Sequence, residues 1–487
     1  MARSDLPAAD GTASRSYDEM LVGPESPRRP YRRVHELLDR LGGADLRRRR
    51  LLAQRAFRDL GITFTVYQDD RGIEKLFPFD LIPRIIEPMV WARLESGLKQ
   101  RVTALNAFLE DVYGEQRILR QRAVPPEVVL SSAGFLRELV GLRVPHRLHC
   151  HIAGVDLVRD RRGEFHVLED NLRTPSGISY VLANRQILKR VLPELFAGYD
   201  VMPVEGYCHQ LLANLTWLAP PGVDNPTVVL LTPGIYNSAY FEHQYLAKQM
   251  GIALVEGSDL LVDQNRVFMR TTGGLRPVHV IYRRVDDEFL DPLFGRGDSL
   301  VGVPGLVNAY RAGGVALANG LGNGVADDKA VYALVPDMIR YYLDEDPLLP
   351  NVPTYLCSRE ADRRYVLQHM EQLVVKTVGG SGGYGMLMGP TSSRAERERM
   401  SRQIAAHPRD FVAQPVVDLS VQPVVVPGGL VSRHQDLRPF VLSGAETTVT
   451  PGGLTRVALR PGSLVVNSSQ GGGSRDTWVL AGRNGAP

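Results

Sequence analysis

Two carboxylates and an amide on a predicted hairpin are the first residues of this chain whose spacing carries chemistry. Residues 154–177, GVDLVRDRRGEFHVLEDNLRTPSG, read as two strands joined by a turn. With Arg162 and Gly163 as the loop, Arg161 pairs with Glu164, and counting outward sets Asp156 directly opposite Glu169. Strand side chains alternate, so Asn171 shares the face of Glu169 while Asp170 points the other way. Directly opposed Cβ atoms lie ~4.5–5.5 Å apart, where like charges destabilise each other. A hard cation relieves that repulsion, and two carboxylates plus an amide oxygen are ligands that Mg²⁺ accepts beside nucleotide phosphates. An exposed acidic hairpin without an ion is the competing reading. On the ion-binding reading Glu169 is essential, whereas loss of Asp170 costs at most a local hydrogen bond, ~0.5–1.5 kcal/mol.

Two lysines supply the opposite charge. In LVVKTVGGSGGYGMLMG (373–389) an apolar strand delivers Lys376, and a glycine-rich loop holding Ser381, Gly382 and Gly383 follows. Glycines let backbone N–H groups approach phosphate oxygens, and a lysine adds a point charge. No lysine follows in the frame of a Walker A motif, and no helix opens on GxGxxG. In GNGVADDKA (322–330) Lys329 stands near a helix start, where the dipole disfavours a cation. That local cost suggests a task for it, with a solvated lysine as the default.

Further along, Asp436 and Arg438 flank one strand, Arg456 lies on another, and Asn467 precedes the glycines 471–473. Arginines on rigid strands can hold a transferring phosphoryl group bidentately. Asn237, Ser238 and Glu242, in TPGIYNSAYFE (232–242), follow a parallel strand, where open α/β sheets place ligands; capping the next helix is an equal alternative. His149 and His151 flank Cys150 without a third ligand nearby, and read as structural.

The elements that must position these residues fall into a series. Residues 1–33 are small, polar and proline-bearing, and read as a flexible tail. Residues 34–145 are mostly helical, with one apolar stripe through Leu94, Leu98, Val102, Leu105, Leu109 and Val112, and an interruption over 62–79 that alternates like a strand, turns at 70–72 and returns. The hairpin region spans 146–220. Strands alternating with helices over 221–320 read as a small parallel α/β layer, and 321–487 carry the lysines, the glycine-rich loop and a C-terminal β-region.

Composition excludes several classes. A net charge of +3 over 487 residues gives no general attraction to nucleic acid, and the runs 28–33 and 47–50 read as solvated basic faces. Three widely spaced cysteines exclude a disulfide scaffold and a thiolate zinc site, and fit a reducing cytoplasm. No apolar run reaches the ~18 residues of a membrane span.

Taken together, the blocks LEDNLRTPSG, TPGIYNSAYFEH, VADDKAVY and NSSQGGGS resemble the circularly permuted ATP-grasp proteins, relatives of glutathionylspermidine synthetase. The lysines, the strand FVAQPVV around Gln414, Asp436-Leu-Arg438, Arg456 and Asn467 follow family order, while the GVD…ExN metal hairpin, normally last, comes first. The resemblance implies an α+β fold, an ATP-grasp fold with an inserted small parallel α/β layer and a helical N-terminal region. It implies that Lys329, Lys376, Ser381, Gly382, Gly383, Gln414 and Asn467 bind ATP, and that Asp156, Glu169 and Asn171 hold Mg²⁺. Arg438 and Arg456 are then catalytic, and Asn237, Ser238 and Glu242 face the substrate. The implied activity is carboxylate–amine ligation, on a small-molecule or peptide carboxylate and an amine acceptor, with no nucleic-acid or membrane partner. A phosphotransferase of the same fold and a non-catalytic nucleotide-binding module are the alternatives.

Overall fold

The computed structural model describes residues 16–23, 26–68, 71–380, 385–426, 428–464, 466 and 472–482. The first long element is α1 (Arg32–Asp59), followed by a hairpin, Thr63–Gln68 with Arg71–Leu76. Next come β1 (Phe79–Ile86) and α2 (Pro88–Tyr113). Pro88 suits the first turn of α2, because its missing N–H would have no helical partner there. The apolar stripe of α2, from Leu94 to Val112, is fully buried.

The predicted hairpin is β2 (Ile152–Arg159) and β3 (Phe165–Asn171), and it runs into α3 (Ile178–Val191). Residues 228–318 supply β4 (Val228–Leu231), α4 (Tyr240–Met250), β5 (Ala253–Val255), β6 (Val280–Arg283) and β7 (Ala316–Ala318). These strands form a parallel sheet in the order β7-β6-β4-β5. Then α5 (Lys329–Tyr332) and α6 (Val335–Leu343) precede β8 (Tyr355–Leu356), β9 (Leu373–Thr377), β10 (Leu387–Met388), α7 (Arg394–Ala406) and β11 (Phe411–Pro415). Here the antiparallel order is β8-β11-β9-β10.

The C-terminal strands are β12 (Val421–Val426), β13 (Gly429–Arg438), β14 (Phe440–Ser443), β15 (Thr447–Val449), β16 (Leu454–Val457) and β17 (Gly473–Val479). They join the early strands in one nine-stranded sheet, ordered β15-β14-β2-β13-β16-β17-β1, with β3 on β2 and β12 on β13. Leu157 of β2 stands opposite Leu437 of β13. The hairpin and the C-terminal β-region therefore share one surface, although nearly 300 residues separate them. That is the geometry a permuted order of motifs requires.

Two expectations about the N-terminal third need correction. Within the tail predicted over residues 1–33, the described residues 16–23 and 26–33 are folded into the structure. Glu19 is buried between Arg84 (2.5 Å) and Arg159 (2.6 Å), and Met20 and Tyr31 are buried with it. The Tyr17 ring lies between the guanidinium groups of Arg28 and Arg159, at 4.2 and 4.3 Å. Small polar residues suggested disorder because their partners lie far along the chain. The mostly helical region also contains β1, a parallel neighbour of β17 in the main sheet.

Candidate active site

The hairpin delivers the expected pair by an unexpected route. Near the turn, Arg159 faces Phe165, Val158 faces His166 and Leu157 faces Val167. The loop is 161–163, closed by the Asp160 N–H donating to the Glu164 carbonyl (2.9 Å), with Gly163 at φ 82°. It is one residue longer than the predicted Arg162-Gly163 turn. A bulge between Asp156 and Leu157 leaves Leu168 unpaired and restores Asp156 opposite Glu169.

Asp156 has no exposed surface, and both its oxygens accept from arginines. Arg438 donates from Nε (2.5 Å) and Nη2 (2.8 Å), and Arg456 donates from Nη2 (2.7 Å). Arg456 Nε also donates to both oxygens of Asp436, at 2.9 and 3.1 Å, its direct partner across β13 and β16. Burial pushes the Asp156 carboxyl up, but Arg438 and Arg456 outweigh it and hold it well below the usual range. Asp436 and Arg438 share a strand face by two-residue spacing, which is the sequence signal for Asp436 as a member of the site.

Opposite this chain of charges stand the lysines. Lys376, near the end of β9, is half-buried and donates from Nζ to Gln414 Oε1 (2.7 Å). Gln414 is oriented in turn by its Nε2 bond to Thr354 Oγ1 (3.0 Å). Burial pushes the Lys376 ammonium from the usual 10.5 down to about 8, reinforced by Lys329 and opposed by Glu169 and Asp156. Lys329 opens α5, where the Asp328 side chain caps the Ala330 N–H. Its Nζ donates to the Gly380 carbonyl (2.6 Å) and lies 3.4 Å from Glu169 Oε2. The contact to the glycine-rich loop explains a cation at a helix start.

One cleft collects these groups. It is lined by Asp156, Glu169, Lys329, Lys376, Asp436 and Arg456 and by an apolar slot of Val158, Leu168, Val417, Leu419, Leu464 and Val466, which cluster together. Gln414 lines the same cleft. Arg438 reaches the cleft through Asp156, and Asn171 sits two pairs beyond Glu169 along β3, its Nδ2 on the Gly154 carbonyl (3.2 Å). Ser381, Gly382, Gly383 and Asn467 lie outside the described residues.

The residues present fit a hard divalent cation. Glu169 is side-chain exposed by 23% toward the cleft. An ionised carboxylate offers about four lone-pair sites, of which the arginines occupy three on Asp156. Among the described residues no three His, Cys, Asp or Glu side chains converge as a metal set. A cation here would draw its remaining ligands from Asn171 and from bound phosphate, as Mg²⁺ commonly does.

Two expectations change. Asp170 does point away from the cleft, but not into solvent: Arg101 grips it from Nε (2.7 Å) and Nη2 (2.6 Å), with both side chains buried. Removing it strands a buried guanidinium, so the mild outcome expected for it is withdrawn. Glu242 is not available to substrate. It is fully buried, accepting from the Gly177 N–H (2.7 Å), the Ser179 N–H (3.1 Å) and hydroxyl (2.9 Å), and Arg284 Nη2 (3.2 Å). It caps α3 from 63 residues away. Asn237 accepts from the Ala239 N–H (2.9 Å) in the turn that leads into α4, and Ser238 is exposed. The histidines are structural: His149 meets Glu110 (3.2 Å), and burial pushes His151 down to about 3.

The sequence profile described as circularly permuted ATP-grasp type 2 matches residues 83–458. An uncharacterized protein of Synechocystis is 55% identical over 467 residues, covering 96% of this chain and 97% of its own. A Mycobacterium tuberculosis protein is 52% identical over 472 residues, 97% of this chain and 85% of its own. A Frankia casuarinae protein, provisionally named a glutamate–cysteine ligase, is 44% identical over 95% of this chain but only 53% of its own length. Its name thus describes a much longer protein. A glutathione synthetase-like effector of Globodera pallida, solved in its apo form, superposes with a TM-score of 0.59 over 90% of this chain and 98% of its own. At 13% identity that likeness is one of fold.

Proposed function

The chain belongs to the circularly permuted ATP-grasp family, and on that premise we propose that it is an ATP-dependent ligase joining a carboxylate to an amine through an acyl-phosphate. The observation that supports this most is the single cleft in which an apolar slot adjoins Lys329, Lys376, Glu169, Asp156 and Arg456. An apolar slot suits a planar base, and the lysines suit the phosphates joined to it. Lys376, released from Gln414, and Lys329 bind phosphate oxygens by charge-assisted hydrogen bonds. Asp156, Glu169 and Asn171 would hold Mg²⁺, which supplies charge neutralisation at the phosphates.

The substrate carboxylate attacks the γ-phosphorus, the bond to the β-phosphate oxygen breaks, and ADP leaves. Arg456, fixed by Asp436, stabilises the charge on the transferring phosphoryl group, with Arg438 holding Asp156 beside it. The amine then attacks the acyl carbon, an amide forms and phosphate departs. Such a site supplies positioning and fixed charge in a cleft that excludes water. Among the described residues no helix is long and apolar enough to cross a membrane, and Cys150, Cys208 and Cys357 are all free and buried. A reducing cytoplasm is the setting this reading assumes.

The test is incubation with Mg²⁺-ATP and pooled carboxylic acids and amines, following ADP release and product mass. A product one water lighter than acid plus amine supports ligation. A stable phosphorylated product that ignores amines would make it a phosphotransferase, and failure to bind Mg²⁺-ATP at all would end the reading.

A further inference from the structure

Arg173, two residues beyond Asn171, belongs to none of the groups above. Its Nε donates to Asp327 Oδ2 (2.8 Å) and its own N–H to Asp327 Oδ1 (3.2 Å). Its two terminal nitrogens have no hydrogen-bond partner among the described residues, and its side chain is one-third exposed. A guanidinium used only as a strut does not need that open fork, which is the edge that binds carboxylates bidentately.

The surroundings place this fork at an edge where substrates bind. The Leu172 and Arg173 carbonyls accept from Asn319 Nδ2 (2.7 and 3.2 Å), and the Pro175 carbonyl accepts from Arg284 Nη1 (2.7 Å). Asn319 follows β7 and Arg284 follows β6, so the loop is stapled to the carboxyl edge of the parallel sheet. Open α/β sheets bind ligands at that edge. The charged groups of the cleft are close in sequence on both sides: Asn171 precedes Arg173 by two residues, and Asp327 precedes Lys329 by two.

A second open group stands at the same edge. Asp286 follows β6 by three residues, is exposed, and its carboxylate has no hydrogen-bond partner among the described residues. Its neighbour Asp287 is committed, accepting from the Gly322 N–H (2.8 Å) and pairing with Arg283 (2.6 Å). Asp286 lies two residues beyond Arg284, whose Nη1 holds the Pro175 carbonyl of the Arg173 loop (2.7 Å), so both open groups stand on the same edge.

We infer that this edge is the acceptor subsite of the ligase proposed above, and that it takes an α-amino acid or the end of a short peptide. The free nitrogens of Arg173 hold the carboxylate, and Asp286 holds the amino group. This rests on the ligase reading and goes beyond it by naming the acceptor's chemical class.

The experiment is calorimetric titration of the full chain, saturated with Mg²⁺ and a non-hydrolysable ATP analogue, with glycine, L-glutamate and L-alanyl-L-alanine. Propionate and ethylamine serve as one-ended controls. At least one two-ended probe is expected to bind, and each control to bind at least tenfold more weakly. Arg173→Lys, which keeps a cation on Asp327 but loses the fork, is expected to weaken the two-ended probe at least tenfold. Asp286→Asn, at an exposed position, is expected to weaken it severalfold and leave propionate unchanged. Both variants should bind the nucleotide analogue as the wild type does. Nucleotide binding without binding of any two-ended probe overturns the inference alone, as does unchanged probe affinity in both variants. Failure of the wild type to bind nucleotide overturns the ligase reading beneath it.

Discussion

Glu169 and Asp170 are adjacent in sequence and opposite in circumstance. Glu169 faces the cleft, 23% exposed, with one cation at 3.4 Å; Asp170 faces the interior, 0% exposed, in a two-point grip from Arg101. Both are acids on the same strand, and only the face differs. The interior acid has its charge consumed by a fixed partner, so it serves stability. The cleft acid keeps lone pairs unspent, so it can serve a ligand. Asp156 lies between these extremes: fully buried like Asp170, yet held by arginines that themselves line or adjoin the cleft.

The largest effect that sharpens this comparison is on folding. Asp170→Ala leaves Arg101 buried beside Asn351 and the Tyr332 ring without an ion-pair partner among the described residues, and removing one partner of a buried pair costs about 3–5 kcal/mol. Urea unfolding of the purified variant measures it. A loss below about 1 kcal/mol would erase the distinction between the two faces.

Glu169→Ala should do the reverse. Mg²⁺-dependent ATP consumption is expected to fall about a hundredfold or more, roughly 2.7 kcal/mol in the barrier. Stability should change by less than about 1 kcal/mol, because the pair with Lys329 is long and partly solvated. An active Glu169→Ala enzyme beside a dead but fully stable Asp170→Ala enzyme would invert the assignment.

The smallest expected effect is in pH. Lys376 titrates at about 8 in the free site, and bound phosphate favours its charged form, raising that value. Below pH 8 the lysine is charged in both states, and ATP affinity is flat with respect to this group. Above pH 8 binding takes up a proton, so affinity falls by at most about tenfold per pH unit until the bound-state value is passed. Lys376→Arg stays charged throughout and should flatten the profile between pH 8 and 9.5. A wild-type profile flat across that window would mean that the ammonium is not at the phosphates.

How much of this was legible varies with distance along the chain. The pairing of Asp156 with Glu169 emerged from alternation, even though the loop count was short by one and a bulge made up the difference. Alternation is robust because burial of one face selects it, whereas a single inserted residue leaves no compositional trace. Glu242 could not be read: its position after a strand suggested a ligand, and its true partners are the start of α3 and Arg284, more than 40 residues away on either side. The packing of residues 16–23 was hidden for the same reason, since Glu19 looks solvated until Arg84 and Arg159 enclose it.

What the sequence determined by itself was local: which side chains share a strand face, where glycines free the backbone, and the permuted order of motifs that marks the family. Those follow from backbone periodicity and residue type, which need no distant partner. What only the tertiary structure decided is the state of each charge. Whether a carboxylate is a ligand, a cap or a strut depends on which cations reach it and whether water does. For Asp156 the deciding arginine is 300 residues away, and for Asp170 it is 69. Coulomb energies rise as the surroundings lose water, so the same acid changes role with its burial, and burial is a property of the assembled fold.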